Sequence, residues 1–339
     1  MFPKLCGPNH LPCRKAARRA FAGAFAALWL ALPSAAVGTD YEAGRAGFRL
    51  RVGSEVCPYR VFAFFVLPDA KLDIRDALEA PARAASSHDP PQPSADAAGL
   101  ERVAPGHWRW RAPGVPGLYP LVFRNARGDS MRLNLFVLVP ASKQQGDALN
   151  GYRIGQYPAS PLKGQAIYKP PRGFVEVTAS NQATWVSPHF QLRQFLCKQA
   201  GGFPKYLVLR ERLLLKLEAL LERVNEAGFR CDTFHVMSGY RTPWYNRTIG
   251  NVKYSRHVWG GAADVFIDVD PVDGMMDDLN GDGALNWRDG KVLYDLVDEF
   301  YGKAWYRGFE GGLGRYKKTA SHGPFVHVDV RGYRARWGD

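Results

Sequence analysis

The stretch that decides the fold is SRHVWGGAAD at positions 255–264, together with the shorter stretch FVHVD at positions 325–329. These segments contain two imidazoles and a carboxylate, on His257, His327 and Asp264. Neutral imidazole and carboxylate hold a divalent zinc ion, and a set of three protein ligands leaves the fourth position open for chemistry. The pattern therefore predicts a zinc site of the catalytic kind.

Local patterning indicates how the three side chains meet. Gly260 and Gly261 allow a tight turn after His257. The following residues, 262–267, have the pattern of a strand that enters a core, and 324–330 form a second strand-like run. A lone histidine is more often a satisfied loop or core residue than a ligand. The prediction therefore depends on the cluster, which pairing of the two strands would assemble.

The spacing Ser-x-His-x-x-Gly-x-Ala-x-Asp at 255–264 resembles the signature of the zinc D-Ala-D-Ala carboxypeptidase and endopeptidase family, which is related to the vancomycin-resistance dipeptidase and the hedgehog signalling domain. SGYRTPWYN at 238–246 is similar to an upstream element of that family, and 325–329 to its closing strand. The resemblance covers residues 186–339. It implies an α+β zinc peptidase domain with an antiparallel sheet and helices.

The upstream element implies a role for Arg241. In the family, the arginine of this element binds the substrate and stabilises the developing oxyanion, a task that suits a permanently charged guanidinium fork. The alternative is a structural arginine that bridges turn carbonyls. Ser255 is a candidate substrate contact, with capping of the turn as its alternative.

The general base is where this sequence departs from the family pattern. Several members have an acidic residue three positions before the last histidine, but that position is Pro324 here. Asp329 is the first candidate base, because two residues along a strand return to the face of His327, and His322 is the second. Asp329 is equally a candidate partner that orients an imidazole. If neither residue reaches the open position, the domain binds without cleaving.

A second metal motif, DLNGDGALNWRD, occupies positions 278–289. Oxygen-bearing side chains stand at positions 1, 3, 5, 9 and 12 of an EF-hand loop, with glycine at position 6 for the sharp turn. The loop resembles that of dockerin-type modules and predicts a structural calcium ion; the alternative is a solvated acidic turn. The predicted calcium ligands are Asp278, Asn280, Asp282, Ala284 through its carbonyl, Asn286 and Asp289.

The N-terminus has the features of an export signal. Five basic residues precede the apolar run 21–32, and small residues follow at 34–36. We therefore expect residues 1–38 to be a signal peptide, with a retained membrane anchor as the alternative, and the protein to be periplasmic or in the cell envelope. Removal of residues 1–36 lowers the formal net charge from +13 to +8. That charge favours anionic partners such as peptidoglycan peptides or acidic lipids, whereas no nucleic-acid motif is present.

The rest of the chain predicts two domains. Short alternating strands separated by Pro/Gly turns in 39–142 favour a small all-β, immunoglobulin-like sandwich. Residues 143–185 are rich in Gly, Pro, Ser and Gln and predict a linker, which leaves 186–339 for the zinc peptidase domain. Helices are expected at 206–227 and 287–301. Cys197 and Cys231 are candidates for pairing in an oxidising compartment, with buried thiols as the alternative.

Together these predictions describe an exported zinc metallopeptidase. We expect it to hydrolyse peptidoglycan stem peptides or cross-links, at a bond that involves D-alanine, by attack of a zinc-activated water. The alternatives are a non-catalytic, zinc-containing cell-wall or signalling module and a metallopeptidase that acts on other peptides.

Overall fold

The structure is a computed structural model that describes residues 41–77 and 89–338. The predicted signal peptide or anchor at 1–38 lies outside the described residues. Within the described ranges, no helix combines the length and apolar character needed to cross a membrane.

The N-terminal half of the described chain is built from strands. They are β1 (Arg45–Val52), β2 (Glu55–Tyr59), β3 (Val61–Val66), β4 (Lys71–Asp76), β5 (Gln92–Pro93), β6 (Leu100–Ala104), β7 (His107–Arg111), β8 (Gly117–Arg124), β9 (Ser130–Val137), β10 (Val139–Pro140), β11 (Ala148–Leu149), β12 (Tyr152–Arg153) and β13 (Gly173–Val177). Short 3-10 helices lie at Ala141–Lys143, Leu162–Gly164 and Ala166–Tyr168.

The C-terminal half combines strands with three α-helices. Its strands are β14 (Trp185–Ser187), β15 (Phe190–Gln191), β16 (Lys205–Leu207), β17 (His235–Ser238), β18 (Ala262–Phe266), β19 (Gly312–Tyr316), β20 (Phe325–Asp329) and β21 (Ala335–Trp337). Its helices are α1 (Glu211–Glu226), α2 (Pro243–Thr248) and α3 (Trp287–Asp298), with 3-10 helices at Leu192–Phe195, Arg256–Trp259 and Ala304–Phe309. The molecule is thus α+β, with several mainly antiparallel sheets and few helices.

Two sheets make up the first part of the chain. One has the order β2-β1-β4-β7-β6 and the other β3-β9-β8-β5. In β7, and in β1 from residue 48, every second residue is buried, as period-2 patterning requires, and Trp108 of the first sheet meets Phe123 of the second edge to face at 5.1 Å. The immunoglobulin-like topology stays a prediction.

The segment expected to be a linker contributes its own small core. Leu149, Ile154 and Phe174 are buried together with Tyr206 from β16. Strand β13 pairs with β10 on one side and β16 on the other. Residues 143–185 lie in sequence between the β-rich first part and the C-terminal part of the chain. These contacts show that they are structured and packed.

The sheet that carries the candidate site has the order β17-β18-β20-β19-β21. Helix α1 buries its apolar face, including Leu213, Leu217 and Leu221, in the main core. It starts at Glu211 rather than at 206 as expected, because Tyr206 and Leu207 pair with β13. Helix α3 ends at Asp298, three residues before the expected end.

The main hydrophobic core is shared between the β-rich first part and the C-terminal part. Residues as distant in sequence as Phe62, Leu214 and Val328 belong to one buried cluster. Cys57, Cys197 and Cys231 are buried free thiols. The pairing considered for Cys197 and Cys231 is therefore not formed, and the thiols serve as small apolar core residues.

Candidate metal centre

Three adjacent elements present His257, Asp264 and His327. His257 lies in the 3-10 helix Arg256–Trp259, which ends at Gly260 in the left-handed region with φ of 63°. A Cβ at Gly260 would lie 2.1 Å from the Val208 carbonyl oxygen, so only glycine fits this turn. Strand β18 carries Asp264, and β20 carries His327 directly opposite it in the antiparallel register. The expected pairing of the two strands is what the structure contains.

The ligand atoms of these three residues converge. Asp264 Oδ1 lies 2.8 Å from His327 Nδ1 and 3.2 Å from His257 Nε2, and the two imidazole nitrogens are 3.2 Å apart. All three side chains are buried. Among the described residues, this is the only group of three or more His, Cys, Asp or Glu whose ligand atoms lie within 4.8 Å of one another.

The triangle has the size that a zinc ion requires. Ligand atoms about 2.0–2.1 Å from a tetrahedral zinc ion are roughly 3.3 Å apart, close to the separations found here. Two imidazoles and one carboxylate also form a donor set typical of catalytic zinc, with a fourth position left over. The residues present therefore fit the metal.

The second nitrogen of each imidazole is held by a hydrogen bond. His257 Nδ1 lies 2.7 Å from the Gly239 carbonyl oxygen, to which it donates. His327 Nε2 lies 3.1 Å from Asp329 Oδ2. Each bond fixes the proton on the outer nitrogen and leaves a lone pair on the nitrogen that faces the triangle, the usual arrangement of metal-bound histidines.

Burial and charge set the protonation of the triangle. Burial lowers the pKa of His257, which favours the neutral, metal-binding imidazole. Burial alone would raise the pKa of Asp264, but the two imidazoles hold it well below its ordinary value. Asp264 is thus an anionic ligand across the whole physiological pH range.

Arg241 forms hydrogen bonds with the carboxylate of Asp264 and the hydroxyl of Ser238. Its Nη2 donates to Asp264 Oδ2 at 2.6 Å, and its Nε donates to Ser238 Oγ at 2.8 Å. The first bond occupies the oxygen of Asp264 that points away from the triangle, which favours single-oxygen coordination through Oδ1. The guanidinium also lines the cavity described below, so its remaining N–H groups are available to a substrate.

Neither candidate base faces the open side of the triangle. Asp329 is fully buried, and its carboxylate accepts hydrogen bonds from His327, the Arg331 side chain and the Gly312 N–H. His322 donates from Nδ1 to the Gly323 carbonyl at 2.8 Å and packs edge to face on Phe325. Neither side chain lines the cavity. The placement of Asp329 corresponds to the alternative interpretation, a residue that orients the imidazole of His327.

A cavity of about 530 Å³ opens onto the triangle. Its wall is basic and aromatic, and Asp264 is the only carboxylate among the described residues that line it. Gly314 stands opposite His327, and because it has no side chain the ring of Trp337 packs 5.1 Å from that imidazole. The lining residues are Leu162, Tyr168, Arg241, Asn251, Val252, Lys253, Tyr254, Ser255, Arg256, His257, Asp264, Tyr316, Phe325, His327, Arg331, Tyr333 and Trp337.

Ser255 lies at the start of the 3-10 helix and lines the cavity. Its side chain makes no capping hydrogen bond, so capping of the turn does not account for it. Position in the cavity is consistent with the expected contact to a substrate.

The loop 278–289 is held by its own hydrogen bonds. The carboxylate of Asp278 accepts from the N–H groups of Gly281, Asp282 and Gly283, and that of Asp289 from Asn280 and Asn286. Within the described ranges, its carboxylates do not form a second cluster with metal-ligand spacing. The geometry therefore lends no support to the expected calcium ion.

Several cavity residues were not identified from the sequence. Tyr168 belongs to the segment expected to be a linker, and Tyr333 and Trp337 lie beyond the last motif. Nothing in their local pattern indicates a site. Arg256 had a signal, since it stands between Ser255 and His257 inside the motif.

The comparisons with known proteins agree with this geometry. Residues 188–275 match the model of a family described as Peptidase M15, and this range contains Arg241, His257 and Asp264. No curated protein and no solved structure matches the chain. The family resemblance inferred from the motifs is confirmed. Residues 188–275 are therefore similar to the M15 peptidase family, whose members are zinc-dependent metallopeptidases.

Proposed function

We propose that the protein is an exported zinc peptidase that hydrolyses peptidoglycan peptides, at a bond that involves D-alanine. The observation that carries the proposal is the convergence of His257, Asp264 and His327 at zinc-ligand spacing on the floor of a cavity. The match of residues 188–275 to the Peptidase M15 family model supports the metallopeptidase chemistry. The export signal expected at 1–38 supports a periplasmic or cell-envelope location.

The residues of the chain have distinct tasks in this proposal. His257, Asp264 and His327 hold the metal, which when bound supplies a Lewis acid that polarises a peptide carbonyl and acidifies water. Arg241 fixes the orientation of Asp264 and offers its remaining N–H groups to the oxygen on which negative charge develops. Asp329 fixes the ring of His327.

The residues that line the cavity favour a peptide with acidic groups as the substrate. Arg241, Lys253, Arg256 and Arg331 line it, against the single carboxylate of Asp264. Such a wall attracts anions, and stem peptides carry several carboxylates. Tyr254, Tyr316 and Trp337 add flat apolar faces for aliphatic side chains such as that of alanine.

Incubation of the mature protein with purified muropeptides, with and without a chelator, tests the proposal. Cleavage that the chelator abolishes and zinc restores is the expected result. His257→Ala removes a ligand and should abolish cleavage. His235→Ala is the matched control, because His235 is exposed on the neighbouring strand β17 and pairs with Asp268. Chelator-resistant cleavage, or full activity of His257→Ala, would contradict the proposal.

A second candidate function is a zinc-containing module that binds cell-wall peptides without cleaving them. The observation that favours it is the lack of a second carboxylate among the described residues that line the cavity, since peptide hydrolysis needs a group that transfers a proton. Saturable binding of muropeptides to the zinc-loaded protein, with no product after prolonged incubation, would establish this function instead.

We propose further that the loop 278–289 binds calcium as a structural ion. Support comes from its spacing alone, which fits an EF-hand loop at the ligand positions. Calcium added to chelator-treated protein should raise the Tm, and Asp278→Ala should remove that rise. Magnesium is the control ion, because it prefers a smaller, octahedral site. A Tm that calcium leaves unchanged would remove this proposal.

A further inference from the structure

Tyr316, on β19, lines the cavity and is 37% exposed. Its ring stacks on that of Phe325, the residue directly opposite on β20, with the ring centres 4.5 Å apart and the planes 8° from parallel. The indole Nε1 of Trp337 donates to the Tyr316 hydroxyl oxygen at 2.9 Å. One contact therefore fixes the ring, and the other fixes the hydroxyl oxygen.

The bond from Trp337 determines what the hydroxyl of Tyr316 can do. An indole N–H only donates, so the phenol oxygen is the acceptor in this bond and keeps its own proton for another partner. The hydroxyl makes no second hydrogen bond within the described part of the chain. Because Trp337 occupies one side of the oxygen, the O–H group is left to donate to a molecule in the cavity.

The hydroxyl lies near the strand position of the metal ligand His327. Gly314 is directly opposite His327, and a Cβ at Gly314 would lie 2.3 Å from Trp337 Nε1. The Tyr316 hydroxyl is bonded to the same nitrogen, so it reaches back along β19 toward Gly314. Opposite residues of an antiparallel pair have Cα atoms about 4.5–5.5 Å apart. The hydroxyl therefore stands about one strand away from His327.

Arg241 and Tyr316 flank the metal triangle from opposite sides. In the sheet order β17-β18-β20-β19-β21, the ligands Asp264 and His327 lie on the adjacent strands β18 and β20. Arg241 follows β17 on one side of this pair, and Tyr316 lies on β19 on the other. Both side chains line the cavity. A peptide that crosses the triangle thus meets Arg241 on one side of the cleaved bond and Tyr316 on the other.

We propose that Tyr316 is a further substrate-binding residue, whose hydroxyl donates a hydrogen bond to a main-chain carbonyl of the peptide on the side of the cleaved bond away from Arg241. A main-chain carbonyl is the acceptor that every peptide offers at this position. Trp337 is a positioning residue, because its indole N–H holds the hydroxyl oxygen. The inference rests on the proposed function and adds to the substrate site two residues that lie outside the sequence motifs.

Tyr316→Phe removes the hydroxyl and keeps the ring that stacks on Phe325. Loss of one hydrogen bond should lower kcat/KM for a muropeptide about 10-fold, with zinc content unchanged. Tyr301→Phe is the matched control, because Tyr301 is 43% exposed and does not line the cavity. This control should behave like the wild-type protein.

Calorimetric titration of the zinc-loaded proteins with the same peptide provides a readout that does not need cleavage. The affinity of Tyr316→Phe should fall by a similar factor, even if no peptide is hydrolysed. Absence of cleavage would therefore contradict the proposed function, whereas the affinities would still decide this inference. If Tyr316→Phe matched the wild-type protein in affinity and in any cleavage, the inference would be overturned.

Peptides in which one main-chain carbonyl is replaced by a thiocarbonyl identify the acceptor, because sulfur is a weak hydrogen-bond acceptor. The carbonyls on either side of the cleaved bond are replaced one at a time, and the carbonyl of that bond is left intact. One replacement should weaken binding to the wild-type protein and have no effect on binding to Tyr316→Phe. Replacements that have the same effects in both proteins would contradict the contact.

Trp337→Phe tests the positioning role, because it removes the indole N–H and keeps an aromatic ring. The variant should reproduce part of the loss seen in Tyr316→Phe, and the double variant should be no weaker than Tyr316→Phe alone. Zinc content is measured for each variant, since the ring of Trp337 packs 5.1 Å from that of His327. Additive losses in the zinc-loaded double variant would show that Trp337 does not act through the hydroxyl.

Discussion

At the scale of single residues, Asp329 shows how the site depends on groups that never touch the metal. Its carboxylate accepts from His327 Nε2 at 3.1 Å and from Arg331 Nη2 at 2.5 Å. Burial would raise the pKa of Asp329, but these two partners hold it well below its usual range. The residue therefore stays anionic and keeps the ring of His327 in the tautomer that offers Nδ1 as a ligand.

Removal of the Asp329 carboxylate should weaken metal binding. We expect Asp329→Ala to lower zinc affinity about 10- to 100-fold, because the imidazole of His327 loses the group that orients it. Competition with a chromophoric chelator measures this affinity. Asp295→Ala, an exposed carboxylate on α3 that pairs with Lys291, is the control and should bind zinc normally. Unchanged affinity in folded Asp329→Ala would contradict the role assigned to the carboxylate.

Lys216 is a second buried charge at this scale. It lies on α1, is 1% exposed, and donates from Nζ to the Asp329 carbonyl at 2.8 Å. Burial lowers the pKa of Lys216 to about 7, although Asp329 acts in the opposite direction. Below pH 7 the lysine is charged in both the folded and the unfolded state. Above pH 7 only the unfolded state keeps the proton. The free energy of unfolding therefore rises with pH until the pH reaches the pKa of the lysine in the unfolded chain.

The free energy of unfolding should therefore change with pH in a way that Lys216→Met removes. Relative to the variant, the wild-type protein should gain at most about 4 kcal/mol between pH 7 and pH 10. Urea unfolding of both proteins at pH 6, 8 and 9.5 measures the difference. A difference that is constant across these pH values would show that Lys216 titrates normally in the folded protein.

At the scale of elements, the turn at Gly260 joins the 3-10 helix of His257 to strand β18. An added Cβ would lie 2.1 Å from the Val208 carbonyl oxygen, so the turn and the chain beside it cannot both keep their positions. Gly250 also has a positive φ, of 70°, but nothing lies within 4 Å of its Cβ position. Substitutions at these two glycines therefore distinguish the effect of a close contact from the effect of left-handed backbone strain alone.

Gly260→Ala should lower both the Tm and the zinc affinity, since the displaced turn carries His257. Gly250→Ala should cost only about 1 kcal/mol of left-handed backbone strain and should leave zinc binding unchanged. Thermal unfolding and zinc titration of both variants provide the comparison. Equal losses in the two variants would mean that the contact with Val208 does not position the ligand.

The elements also show what could be predicted from the sequence. The motif at 255–264 contains the turn and the start of β18, which carry two ligands, and the strand-like run 324–330 carries the third. The shared ligand chemistry of these two segments was sufficient to predict the pairing of β18 with β20. The predicted start of α1 at residue 206 was wrong, because Tyr206 and Leu207 pair with β13, which lies about thirty residues earlier in the chain. Such long-range pairing outweighs the helical pattern of these residues and leaves no local signal.

At the scale of the whole molecule, α1 connects the β-rich first part to the sheet that carries the site. Glu222 accepts from Tyr59 and Arg45, and the Phe65 N–H donates to Glu211. The same helix contacts the site sheet through Lys216. Together with the shared hydrophobic cluster, these contacts make the two parts energetically dependent on each other.

The mature protein should therefore unfold as one unit. We expect scanning calorimetry to show a single transition whose calorimetric and van't Hoff enthalpies agree. Arg45→Ala and Tyr59→Phe should each shift that transition without splitting it. Two separate transitions would contradict the shared core and would instead indicate the independent domains expected from the sequence at 39–142 and 186–339.

The cavity is assembled from distant parts of the chain, and this limits what sequence reasoning could reach. Tyr168, Arg241 and Trp337 come from three segments that only the complete fold brings together. The metal triangle was predictable because its chemistry demands particular residues at fixed spacing. The other residues of the cavity wall could not be predicted, because many arrangements of aromatic and basic residues would line a cavity equally well.

The central claim is that His257, Asp264 and His327 hold one zinc ion. Anomalous diffraction at the zinc edge, from crystals of the zinc-loaded mature protein, tests it most directly. We expect one strong peak about 2.0–2.2 Å from His257 Nε2, Asp264 Oδ1 and His327 Nδ1. A map without a peak at this triangle, or with zinc bound only at the loop 278–289, would contradict it.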